Sequence, residues 1–415
     1  MSEWKKCKIG EMVTLRQGFA INAKSKHFIS KEPTSLALLR IADMKSGSRE
    51  IYIKEDIPQS FIANPCDIIY TRTGNVGLVF RNNFGVVHNN CFTVTPNDEN
   101  VLSRDFLFYL LQSQYFFEKA NSLARGAAQP DLPHSLFNSI EVAYPSLNDQ
   151  IRIATILSRY DILIENYQKQ IKLLEEAAQR LYKEWFVELR FPGHENTKMV
   201  DGLPEGWERK KLGEILEYYD KQRKPLSSMQ RMDMEKVYPY YGAATLMDYV
   251  DNYIFDGVYL LLGEDGTVIT SDNYPVLQYV WGKFWVNNHA HVLRGKNGIS
   301  TEYLYSMFKE MPIADVVTGA AQPKISQGRL SEKKIVVPPT NLITKWSETT
   351  KVYFDSLRNF TEEIRLLTEA RDRLLPRLMG GEMEVDAPKG QRAINPAHRS
   401  GYNPQTNHAP KGQKN

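Results

Sequence analysis

One short word, Gly-Ala-Ala-Gln-Pro, stands at Gly126–Pro130 and again at Gly319–Pro323 of the 415-residue chain, and its surroundings repeat with it. Near the start, "WKKCKIGEM" places Trp4, Gly10 and Glu11 where "WERKKLGEI" places Trp207, Gly213 and Glu214, an offset of 203. From the pentapeptide onward the offset is 193, carrying Gln129 to Gln322 and Pro145 to Pro338. A change of ten residues between two landmarks belongs in the loops of otherwise similar domains. The 193 offset then runs through a heptad seam. The first copy reads Ile153, Leu157, Tyr160, Ile164, Tyr167, Ile171, Leu174, Ala178, Leu181, Trp185, and the second Trp346, Thr350, Tyr353, Leu357, Phe360, Ile364, Leu367, Arg371, Leu374, Leu378. Neither seam carries Gly or Pro over more than four heptads. Each predicts a long helix, roughly 50 Å at 1.5 Å per residue, whose narrow apolar stripe is stable only against another. Two similar units joined head to tail predict an antiparallel helix pair about a pseudo-twofold axis. Thr350 and Arg371 interrupt the second seam, as a seam end or a stem reaching solvent would.

The expected fold class is α+β: two similar mixed α/β domains separated by an antiparallel pair of long coiled-coil helices. The boundaries are a first domain at 1–149, a helix at 150–190, a linker at 191–206, a second domain at 207–341, a helix at 342–381 and a tail at 382–415. From 387 the tail holds Lys389, Arg392, Arg399, Lys411 and Lys414 with no acid and few apolar residues, which predicts disorder. Those five cations account for more than the net charge of +3, so the rest of the chain is slightly acidic and any basic surface is local. No apolar run is long enough for a bilayer and no leader is apparent, which predicts a cytoplasmic protein without membrane contact. Cys7, Cys66 and Cys91 lie far apart and odd in number, the usage of reduced, packed thiols.

Catalytic signatures are missing. Gly282-Lys283 lacks the rest of a phosphate-binding loop, no dinucleotide turn is present, and no Asn-Pro-Pro-aromatic stretch of an amino-methyltransferase occurs. His289 and His291 alternate on a strand without a third ligand at suitable spacing, so no metal and no cofactor is expected in this chain. The chain reads as a binder.

Within each domain the same elements recur. "CDIIYTRTGNVGLVF" and "DGVYLLLGEDGTVIT" read as hairpins, "GVVHNNCFTVTP" and "FWVNNHAHVLRG" as strands broken by amides and histidines, and "SRDFLFYLLQSQYFFEKA" and "STEYLYSMFKEM" as one helix each. Asn and Gln pair with adenine, Arg with guanine, and Asp or Glu accept from cytosine, so loops bearing these groups suit base reading. The first domain offers Arg72, Thr73, Asn75, His88, Asn89, Asn90, Arg125 and Gln129. The second offers Glu264, Asp265, Thr267, Asn287, Asn288, His289, Gln322 and Lys324. Each residue alone has the blander reading of a turn former; the set, differing at equivalent places, suits two different DNA half-sites.

The phrases "PEGWERKKLGEI", "GAAQP" ahead of "YP" or "PP", "SLNDQIRIATILSRYD", "RLYKEWFVELRFPG" and "RLLPRLMGGEMEV", by their placement along a duplicated plan, resemble the specificity subunit of Type I restriction-modification enzymes over residues 1 to 385. The resemblance implies a non-catalytic subunit with two target recognition domains, each contacting half of a bipartite, asymmetric double-stranded DNA site. It implies two modification subunits that use S-adenosylmethionine to methylate adenine, and restriction subunits that use ATP and Mg. Ile164, Tyr167, Ile171 and Leu174 against Leu357, Phe360, Ile364 and Leu367 would form the spacer seam. Gly126, Gln129, Gly319 and Gln322 would lie near DNA as loop residues. The second helix begins "TNLITKW", without a counterpart of Gln150, which suggests a weaker subunit contact there. Against this stand a two-domain coiled-coil scaffold for a non-DNA partner, which DNA pulldown with and without the modification subunit would discriminate, and an enzyme of unrecognised type.

Overall fold

The computed structural model describes residues 4–319 and 322–383. The basic tail and its expected disorder lie outside the described residues. The described chain divides into two compact units, one built from residues up to Tyr160 together with those from Glu369, the other from Asp161–Thr368.

In the first unit a four-stranded antiparallel sheet runs in the order Val13–Gln17, Cys91–Pro96, Ile68–Thr71, Val79–Phe80. A second sheet pairs Leu36–Leu39 in parallel with Gly85–Val87. Ile68–Thr71 is buried along its whole length, which explains why its sequence is continuously apolar rather than alternating. Tyr70, Phe92, Phe116 and Phe137 meet edge-on and stacked at ring separations of 5.1–6.0 Å behind this sheet. Cys91 is buried on the sheet's opposite face, with Leu39, Ala63, Ile69 and Val87, its thiol pushed up to about 12 by burial. Cys66 is exposed, contrary to the expectation of a packed thiol, because it stands in the turn ahead of the buried strand.

The second unit repeats the plan. Its four-stranded sheet runs Leu216–Tyr218, Ala290–Gly295, Tyr259–Gly263, Leu277–Val280, all antiparallel, and Tyr238–Tyr241 lies parallel to Lys283–Val286. Two expectations change. The hairpin partner of Tyr259–Gly263 is Leu277–Val280 rather than the adjoining "TVIT", because the chain first makes an excursion pinned by the Ile269 and Pro275 bridge. The single helix expected in the first half is two, Arg104–Gln112 and Gln114–Leu123, since Ser113 is extended (φ −60°, ψ 145°) and its hydroxyl caps the second by accepting from the Phe116 N–H.

The long helices are Leu147–Tyr182 and Thr340–Met379, about 54 and 60 Å at 1.5 Å per residue. They run antiparallel: Tyr182 meets Trp346 at a ring separation of 5.9 Å, and Tyr167 stacks on Phe360 at 4.9 Å. Ile164 and Leu357 are buried, and Ile171, Leu174, Ile364 and Leu367 half-buried, while Leu163, Leu173 and Leu366 off the stripe are exposed. Thr350 is neither a seam end nor solvent-reaching. It is fully buried, and its hydroxyl donates to the Trp346 carbonyl one turn back at 3.0 Å. The second helix passes through Pro376 in its last turn, giving up the one hydrogen bond its N–H would have made to residue 372, and ends as Gly380 N–H donates to the Pro376 carbonyl at 2.8 Å. Leu378, near that end, is buried in the first unit's core with Ile153, Ala154 and Leu157. Among the described residues no helix is long and apolar enough to cross a membrane.

Candidate nucleic-acid interface

Three loops meet at one corner of each unit. In the first, the loop after Ile68–Thr71 joins the His88–Asn90 corner through Arg72 N–H to the Asn90 carbonyl at 2.8 Å. It joins the segment after the pentapeptide through Gly74 N–H to the Pro130 carbonyl at 2.8 Å and Leu132 N–H to the Arg72 carbonyl at 2.9 Å. In the second, Glu264 N–H to the His289 carbonyl (2.8 Å), Gly266 N–H to the Pro323 carbonyl (3.0 Å) and Ile325 N–H to the Glu264 carbonyl (2.8 Å) make the same stitches. The pentapeptide's glycine has a backbone reason. Gly126 and Gly319 sit at φ 96° and 83°, and a Cβ on Gly126 would come within 2.8 Å of the Gln129 carbonyl oxygen, with the same collision against Gln322 in the second copy. Gln129, Gln322 and Arg125 are exposed on these turns.

In the first unit Asn75, His88 and Asn90 line a cleft of about 410 Å³ together with Arg40, Ile41, Ala42 and Lys45. Arg40 is fixed by Asp43, at 2.7 Å to both carboxylate oxygens, and by Glu50. Burial and the neighbouring Arg40 hold the His88 imidazole below its ordinary value, so it is neutral at physiological pH. His88 Nδ1 accepts from the Asn90 N–H at 3.3 Å, which leaves the ring proton on Nε2. Arg40 and Lys45 carry no sequence motif and were not among the expected site residues; the pairing of Leu36–Leu39 with Gly85–Val87 brings them here. Asn89 serves mainly through its backbone, donating to the Phe19 carbonyl at 2.9 Å and accepting from Gln17 at 2.7 Å.

Arg72 donates to both carboxylate oxygens of Asp131 (3.0 and 2.6 Å) and to Gln17 Oε1 (3.0 Å), and Thr73 Oγ1 donates to the same Asp131 at 2.5 Å. The hydrogen bond from Arg72 is the main reason the Asp131 carboxyl lies below its ordinary range. Asp131 escaped the sequence reading, although the offset of 193 places it opposite Lys324.

In the second unit Asn287 is buried and its Oδ1 accepts from the His289 N–H at 2.8 Å, so it shapes the corner. Thr267, Asn288 and His289 are exposed, and His289 pairs with Asp265. His291 faces the interior beside Asp220 and Glu264, the three offering ligand atoms within 4.8 Å of one another. Cationic and donor groups already occupy this cluster. Arg223 Nη1 lies 2.7 Å from Glu264 and Lys324 Nζ 3.6 Å from it. His291 sends Nδ1 to Asp220 (2.6 Å) and Nε2 to the Ile325 carbonyl (2.8 Å). Both ring nitrogens of His291 are thus engaged with oxygen acceptors inside the protein, and a metal at this cluster would have to displace those contacts and the two cations.

The description "Type I restriction modification DNA specificity domain" matches residues 1–176 and 204–374, both repeats and most of both long helices. The chain belongs to this family of Type I specificity subunits. As a member it is a non-catalytic DNA-recognition subunit. It is 24% identical over 418 residues to the MjaIX specificity subunit of Methanocaldococcus jannaschii, covering 92% of this chain and 94% of that one. It is 33% identical over 166 residues to a putative type I restriction enzyme specificity subunit of Haemophilus influenzae, covering 40% of each. The crystal structure of a Type I S subunit from M. genitalium superposes with a TM-score of 0.56 over 91% of this chain and 96% of that one at 20% identity, a likeness of fold.

Proposed function

We propose that the two units of this specificity subunit each read one half of a bipartite, asymmetric DNA site, with the paired long helices fixing the unread gap. The observation that carries this is one three-loop corner built twice with the same backbone stitches and different exposed side chains. Asn75, His88 and Asn90, half-buried or exposed, stand in the first where Thr267, Asn287 and His289 stand in the second, and Arg125 stands where Thr318 does. A constant scaffold with variable hydrogen-bonding groups suits two different half-sites. Gln129 and Gln322, identical and exposed, suit phosphate contact, which carries no sequence information. The partners in this reading are two modification subunits that methylate adenine with S-adenosylmethionine and restriction subunits that use ATP and Mg, acting in the cytoplasm.

The test is a methylome of cells expressing this chain with its modification subunit. One bipartite methylated motif is the expected result, and no motif rejects the reading. Gln129→Ala should lower affinity of the assembled complex for all DNA sequences alike, with the melting temperature unchanged; a lower melting temperature at unchanged affinity would make Gln129 structural instead.

A further inference from the structure

The stitches that equate the two corners also equate two ion pairs of opposite polarity. Arg72 and Glu264 each donate their N–H to the corner carbonyl and accept from the residue two places after the pentapeptide proline. Asp131 and Lys324 each directly follow that proline. In the first unit the loop is the cation and the turn the anion, with Arg72 at 2.6 Å from Asp131. In the second the loop is the anion and the turn the cation, with Lys324 at 3.6 Å from Glu264 and Arg223 reinforcing it at 2.7 Å.

We propose that these pairs are one latch in two charge states, and that Arg72, Asp131, Glu264 and Lys324 are positioning residues rather than base readers. The chemistry of the side chains argues for this. A guanidinium held on both carboxylate oxygens and on Gln17 has three of its five N–H donors, one from each nitrogen, committed to the protein and its plane fixed. Glu264, enclosed by Arg223, Lys324 and His291 at 2.7, 3.6 and 3.7 Å, is likewise committed. A base reader has to differ between the units in whatever way its base requires; a latch has only to keep its two ends complementary, and inversion of both ends together meets that requirement. The latch joins the loop bearing Asn75 to the turn bearing Gln129, so it sets where both stand. Its two polarities also make the parts non-interchangeable: a turn from one unit set against the loop of the other would oppose Arg72 to lysine or Glu264 to aspartate.

This inference rests on the proposed reading of DNA by the loops, and its test separates the two. Arg72→Glu, Asp131→Lys and the double variant are each expressed with the modification subunit, and the complexes are assayed for methylation across the genome and for melting of the purified chain. Each single variant opposes like charges. Methylation of the wild-type motif should fall about tenfold, and melting by a few degrees. The double variant, which gives the first unit the polarity of the second, should regain most of both, at a motif whose first half is unchanged. A double variant no better than the singles, or singles indistinguishable from wild type, would overturn the latch. A double variant active on an altered first half-site would make Arg72 a reader. If the wild-type chain directs no bipartite methylation, the function reading fails on its own. The latch is then decided by melting, where non-additive recovery supports it and simple additivity rejects it.

Discussion

Gln150 illustrates how a residue singled out for one reason acquires another. It is fully buried at the start of the first long helix. Its Oε1 accepts from the Ser103 N–H at 2.9 Å, and its Nε2 donates to the carbonyls of Val101 (2.9 Å) and Pro145 (3.0 Å). It therefore knits the helix to the loop ahead of Arg104–Gln112, with its side-chain amide engaged inside the chain. The second unit does without it: Ile343 fills the same place, also buried, and Ser300 caps the corresponding helix through the Tyr303 N–H at 3.1 Å. Gln150→Ala strands three backbone groups, one buried and two part-buried, and should cost about 2 kcal/mol in denaturant titration. Gln150→Ile should do no better, because the stranded groups remain. Asp220 gives a second prediction. Burial alone would raise its carboxyl, but His291, the Val292 N–H and Gln327 outweigh this and hold it below its ordinary 3.8. A depressed carboxyl stabilises the fold above the unfolded value and loses that contribution as pH falls through the lower folded value. Asp220→Asn should cost about 3 kcal/mol near neutrality, and the gap from wild type should close as the pH is taken well below 3.8. A gap independent of pH would contradict the pairing. Neither network was legible beforehand, since each joins residues far apart in the chain through contacts that no local spacing encodes.

The long helices were the most legible elements, because their period is local and both copies could be checked against one offset. Tyr167 on Phe360 is the contact that offset implied. The return strand Leu277–Val280 and the break at Ser113 were not legible. An apolar run beside a turn is the same signal whether it pairs at once or after an excursion, and a serine inside an amphipathic pattern gives no sign that its backbone is extended. As a ruler, the helix pair yields an arithmetic prediction. One heptad added to each helix lengthens the pair by about 10 Å, or about three base pairs at 3.4 Å each. The methylated motif should keep both halves and gain about three unread positions. A changed half-site with an unchanged gap would remove the helices from the measuring role.

At the scale of the whole chain, sequence order and spatial grouping part company. The boundaries read from the sequence place residues from 342 to 381 after the second domain as a helix of its own. In the structure the residues from Glu369 join those up to Tyr160. Leu378, only 2% exposed, with Leu374, Leu375 and Met379 at its side, completes the core that Leu157 and Phe106 begin. Leu378→Ala should cost about 2–5 kcal/mol, and a chain ending at Thr368 should show early melting of the first unit in hydrogen exchange, with the second unit's strands still protected. Equal loss in both units would mean the grouping is not an energetic one. The same feature bears on how the protein comes into being. On a ribosome adding about 5–20 residues per second, some 200 residues pass between Tyr160 and Glu369, so the first unit waits roughly 10–40 s for its last piece. The amino-terminal half is thus the first to be made and the last to be finished, and it stays open to chaperones, proteases and premature partners until synthesis of the second helix is complete.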